Sequence, residues 1–91
     1  MYIGRRKIKS MAKDLYVKKF WAEDDVLFYV HFKGDEAVRQ IEITDGKRIL
    51  LSTDKPVEGD YFLYDQTLED LDLEDEDFIS SAAFEKVWGE G

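Results

Sequence analysis

The dipeptide Asp45-Gly46 stands between two apolar runs, AVRQIEI (Ala37–Ile43) and KRILLS (Lys47–Ser52). Asp-Gly supplies the positive φ that a tight hairpin turn needs. KGDE, Lys33–Glu36, gives the same signal one run earlier, through Gly34. Runs joined by turns this short must lie side by side and antiparallel, because a parallel crossover needs a dozen residues or more. That constraint governs everything else the chain can do.

The runs themselves read as strands. VLFYVHF, Val26–Phe32, is the strongest: a period of two puts Val26, Phe28, Val30 and Phe32 on one face and Leu27, Tyr29 and His31 on the other. In Ala37–Ile43 the same period groups Ala37, Arg39, Ile41 and Ile43 against Val38, Gln40 and Glu42, a half-buried strand. LYVKKFWA, Leu15–Ala22, is aromatic and β-branched, with Tyr16 and Phe20 on one face and Val17 and Trp21 on the other. AEDD, Ala22–Asp25, is a polar break. TDKPVEGD, Thr53–Asp60, is a loop holding the single proline, and YFLY, Tyr61–Tyr64, is either a short strand or apolar packing. ISSAAFEKVW, Ile79–Trp88, predicts a helix capped by Ser80 or Ser81, with Phe84, Val87 and Trp88 as its apolar stripe and Gly89 as its stop. The expected fold class is α+β: an antiparallel meander of about four strands, an acidic connector and a short C-terminal helix packed on one face.

At 91 residues the chain is one small domain, expected over residues 14–91, with 1–13 as a basic N-terminal tail. Aromatic residues make up 14% of it, and such rings build a core without cross-links. There is no cysteine, which excludes disulfides, zinc-thiolate sites and thiol catalysis. No apolar run is long enough to span a bilayer, and the start lacks the apolar segment of a secretory signal, so the expected location is the cytoplasm.

The net charge is -8, and it is unevenly spread. Residues 1–19 hold seven bases and one acid; the remainder holds six bases and twenty acids. Direct nucleic-acid binding is disfavoured by such a surface, and a basic protein partner is favoured. The densest acid lies between Asp65 and Asp77: Asp65, Glu69, Asp70, Asp72, Glu74, Asp75, Glu76 and Asp77, with no base among them.

Thr67 is the expected N-cap of a short helical turn there, with Glu69 and Asp70 at its positive end. Two readings stand for this run. In one it is a solvated connector with Leu68, Leu71, Leu73 and Phe78 tucked inward. In the other its carboxylates imitate phosphate charge and occupy the Arg/Lys groove of a basic protein, with Tyr61 and Tyr64 as aromatic anchors and Glu23–Asp25 as a second patch.

Catalytic and metal chemistry find little footing. A calcium loop needs a sharp turn, usually through glycine, and DLDLEDED has leucines at two spacer positions and no glycine. Weak calcium binding by the clustered carboxylates is the alternative to the interaction reading. His31 is the only histidine and is expected to be structural, with no Ser-His-Asp set around it. Trp21 and Trp88 are expected to close the core rather than to form a binding platform. No metal, cofactor or catalytic residue is predicted.

Taken together, YVKKFW (Tyr16–Trp21), AVRQIEITDG (Ala37–Gly46), TLEDL with the following Asp77-Phe78, and ISSAAFEKVW (Ile79–Trp88) resemble a widespread family of small acidic bacterial and phage proteins known as a domain of unknown function. Its pattern runs Y-x-K-V-x-W, E-V-R-K-V-E-I-F-x-D-G, an acidic L-E-E-I segment, and F-E-x-V-W. The family's His-Asp loop with proline after the first strand is replaced here by the shorter AEDD, so no role of that loop is implied. The resemblance implies a partner or inhibitor rather than an enzyme, of the kind that serves as an immunity protein beside a toxin or nuclease. The expected state is a monomer, or a weak homodimer paired through a sheet edge.

Overall fold

The computed structural model describes residues 13–89. Most of the predicted basic tail, 1–13, therefore lies outside the described residues, with Lys13 as its one described member. Four strands follow as the turns dictate: β1 (Asp14–Trp21), β2 (Val26–Lys33), β3 (Glu36–Thr44) and β4 (Lys47–Ser52). Asp45 and Gly46 both carry positive φ, 53° and 75°, with Thr44 paired to Lys47 across them. This is the mirror-image turn whose twist matches that of the flanking strands.

The meander does not stop at four. After a two-stranded ribbon, β5 (Val57–Glu58) with β6 (Tyr61–Phe62), the chain makes two 3₁₀ turns, Leu68–Leu71 and Asp75–Asp77. It then returns as β7 (Phe78–Ile79), which adds to β1 as a fifth, antiparallel strand. The sheet order is β4-β3-β2-β1-β7. The helix α1 (Ser81–Gly89) follows at once, its Ser80 Oγ accepting from the Ala83 N–H at 3.1 Å. No helix among the described residues is long and apolar enough to cross a membrane.

Both faces of the sheet are covered, which the two apolar faces of β2 require. On one face α1 lays Phe84, fully buried, beside Tyr16 and His31. Cross-strand neighbours on this face bring charge together. Arg39 Nε donates to His31 Nδ1 at 3.0 Å, which leaves the ring proton on Nε2, facing Asp14 Oδ1 at 3.0 Å. The guanidinium also grips Glu85 of α1 through two bonds of 3.1 and 2.6 Å and lies over the Phe84 and Trp88 rings at 4.9 and 5.0 Å. Arg48 donates to the carbonyl of Val87 at 2.7 Å, satisfying one end-of-helix acceptor. His31 thus lies buried within the helix–sheet contact.

The opposite face is covered by the acidic connector. Val17, Val30, Phe32 and Ala37 form its buried floor, and Leu63, Tyr64, Leu68, Leu71 and Leu73 pack down on it. Phe78, expected to be tucked in with those leucines, is instead exposed on β7, because its strand lies at the sheet edge. Ala37 reaches this face through a β-bulge. His31 pairs with Arg39 but Phe32 with Ala37, so Val38 is one residue too many and the alternation slips. Strict alternation had put Ala37 with Arg39; the bulge separates them. Gln40 and Glu42 face the connector and are both buried, although the pattern of a half-buried strand groups them on the face opposite Arg39 and Ile41.

Candidate functional site

The connector holds its acids outward because its leucines are drawn in. Leu68, Leu71 and Leu73 are half-buried while Asp65, Glu69, Asp70, Asp72, Glu74, Asp75 and Glu76 are exposed. The two 3₁₀ turns are locked by their own carboxylates. Asp70 accepts from Thr67 Oγ1 at 3.1 Å, and Asp77 accepts from the Glu74 N–H at 2.8 Å. Asp72 closes the first turn in the left-handed region, at φ 54°.

Asp77 differs from the rest of the run. It is half-buried and takes Lys19 Nζ at 3.3 Å. The Glu74 N–H holds its carboxyl below the usual range; burial opposes this in part, and the Lys19 ammonium adds further lowering. Asp77 therefore already serves the fold, and Asp70 serves it in part. Among the described residues none of the other six acids, nor Asp70, forms an ion pair. Nor do any three His, Asp or Glu residues among the described ones converge as metal ligands. The carboxylates splay along the connector rather than turning around a point.

Beneath the start of the connector lies a groove of about 310 Å³. Val17, Trp21, Phe28, Val30 and Leu71 give it apolar walls, β6 gives it Tyr61 and Phe62, and Asp60 and Asp65 line it too. Tyr61 is half-buried in this wall. Tyr64 is half-buried as well; it meets Phe32 edge-on at 6.0 Å, and its hydroxyl donates to the Thr67 carbonyl at 2.9 Å. Neither tyrosine stands free as an isolated surface ring.

Trp21 departs from its expected core-closing role. It is 44% exposed at the end of β1, edge-on to Phe28 at 5.1 Å. Trp88 packs on the other face of the sheet, so the two indoles share no platform. Phe62, 65% exposed, faces solvent from β6. The acids Glu23, Asp24 and Asp25 occupy the exposed turn that follows Trp21.

The sheet contributes three polar groups to this groove, Gln40, Glu42 and Lys19. Gln40 Nε2 donates to Glu42 Oε2 at 2.8 Å and to the Phe62 carbonyl at 3.3 Å, while its Oε1 accepts from the Tyr64 N–H at 2.8 Å. One amide thus binds the connector to the sheet. Glu42, only 8% exposed, receives no other hydrogen bond among the described residues. Burial pushes its carboxyl above the usual range; the Gln40 amide offsets this in part, and no cation contributes.

An acid with a raised folded pKa costs stability at neutral pH, since the unfolded chain ionises it more readily. Glu42→Gln is therefore expected to raise Tm by several degrees at pH 7. The gain should fade as pH falls below the ordinary glutamate range, where both states are protonated. Thermal melts of the two proteins between pH 3 and pH 8 check this; a lower Tm at pH 7 would contradict it.

Sequence reasoning singled out the acids and Tyr61 but missed the groove. Gln40 and Glu42 sit at alternate positions with the period of a solvated strand face, and nothing local marks them as covered. Comparison with protein-family models, with curated proteins and with solved structures finds no match to this chain.

Proposed function

We propose that this chain is a non-catalytic interaction domain that binds a basic protein through the acidic connector, as an inhibitor or immunity-type protein acts on a nucleic-acid-processing partner. The observation that carries the reading is the set of outward carboxylates, without ion-pair partners among the described residues, on a short, capped and leucine-anchored segment. Like charges held this close repel, and the fold tolerates the cost on a surface that a basic partner would neutralise. Asp65, Glu69, Asp72, Glu74, Asp75 and Glu76 form the working array, with Asp70 beside them. Tyr61 belongs to the groove wall next to that array. Complementary charge would give fast, salt-sensitive association. The resemblance of the sequence motifs to a family of small acidic proteins of unknown function supports the reading by analogy only, since some such small acidic proteins serve as immunity proteins.

The triple reversal Glu69→Lys, Asp75→Lys, Glu76→Lys tests it, since among the described residues none of these three side chains caps a turn or pairs with a base. Proteins retained from source-cell extract by immobilised wild type are identified and their affinities for both versions measured over a salt gradient. The reading expects a basic protein whose affinity falls at least about tenfold for the reversed domain at low salt. Equal affinity for both versions would remove the connector from the interaction.

A further inference from the structure

Glu42 is an expensive residue to keep where it is. No cation among the described residues reaches this buried carboxylate, which is unfavourable, and a glutamine of the same shape would be cheaper. The cost falls inside an apolar groove, on a residue that lines it. Burial of this sort within a cleft marks a group held for a ligand.

Resting on the reading above, that the domain binds a basic protein, we propose that this groove receives a lysine or arginine side chain of the partner. Its methylene stem lies along Trp21, Phe28 and Phe62, and its charged end meets Glu42. Charge complementarity selects this occupant. A neutral apolar group would seal the Glu42 carboxylate away without a cation, and an anion would be repelled by it. The groove's own cation, Lys19, is already engaged by Asp77 at 3.3 Å. Asp60 and Asp65 line the same groove and add to its negative potential. Aromatic rings suit a cationic side chain twice over: their faces attract the charge, and their area covers the stem.

The test uses the ¹⁵N-labelled full chain and three probes: N-acetyl-lysine methylamide, its norleucine counterpart, and an oligolysine peptide. The lysine probe should shift the Trp21 indole and Gln40 side-chain amide signals and bind about tenfold tighter than norleucine. Glu42→Gln should erase that preference, and its expected gain in stability keeps the variant folded. The oligolysine should still shift the amides of residues 69–76 in Glu42→Gln, because the connector is intact there.

Equal binding of lysine and norleucine probes, or oligolysine shifts confined to 69–76, would overturn the groove assignment while leaving the acidic connector in place. Lysine-selective groove shifts with 69–76 silent would uphold the groove and sink the connector reading instead.

Discussion

Phe84→Ala is expected to destabilise the domain by about 3–5 kcal/mol, the usual cost of emptying a buried phenylalanine site. Small domains have only about 5–15 kcal/mol to lose, so much of the chain should be unfolded at moderate urea. Phe84 is fully buried, and its ring is what α1 contributes to the core of its face. It meets Tyr16 at 5.3 Å and His31 at 5.8 Å, and it lies under the Arg39 guanidinium. Truncation would leave a cavity lined by polar as well as aromatic groups. The grip of Arg39 on Glu85 is half-exposed and too weak to hold the helix by itself. Urea unfolding, followed by circular dichroism, measures the loss. A change below about 1 kcal/mol would mean that the helix is not what completes this face.

Gln40→Ala should cost roughly 2–4 kcal/mol, with a different signature. Removing this amide strands the buried Glu42 carboxylate, at about 1–3 kcal/mol for a buried unsatisfied group, and frees the part-buried Phe62 carbonyl and Tyr64 N–H, which water reaches more readily. Water entering through the groove limits the total. Because Gln40 bonds both Phe62 and Tyr64, its loss should loosen the connector before the meander. Hydrogen exchange should speed up at Tyr64 and across Leu68–Leu73 while β2 and β3 stay protected. Uniform acceleration across the sheet would argue that connector and sheet open as one unit. Gln40→Ala and Phe84→Ala act on opposite faces, so their effects should combine nearly additively.

The two variants divide the molecule along the line that separates what was legible from what was not. Hairpin turns are local: Asp45-Gly46 needs only its own backbone preference to place β3 beside β4. The helix is nearly as local, since Ser80 and the Phe84, Val87 and Trp88 stripe lie within one short segment. The 3₁₀ turn after Thr67 was readable for the same reason. β7 was not, because two residues, Phe78 and Ile79, carry no period; they become a strand only where the open edge of β1 supplies partners.

The groove was invisible for a related reason. Gln40 and Glu42 alternate as surface residues do, and only the return of residues 61–73 across that face buries them. Local preference and the period of two fixed the meander, the helix and the outward acids from sequence alone. The bulge at Val38, the fifth strand and the buried carboxyl of Glu42 were decided by tertiary packing. Burial there depends on which distant segment closes over a face, and no neighbouring residue encodes that.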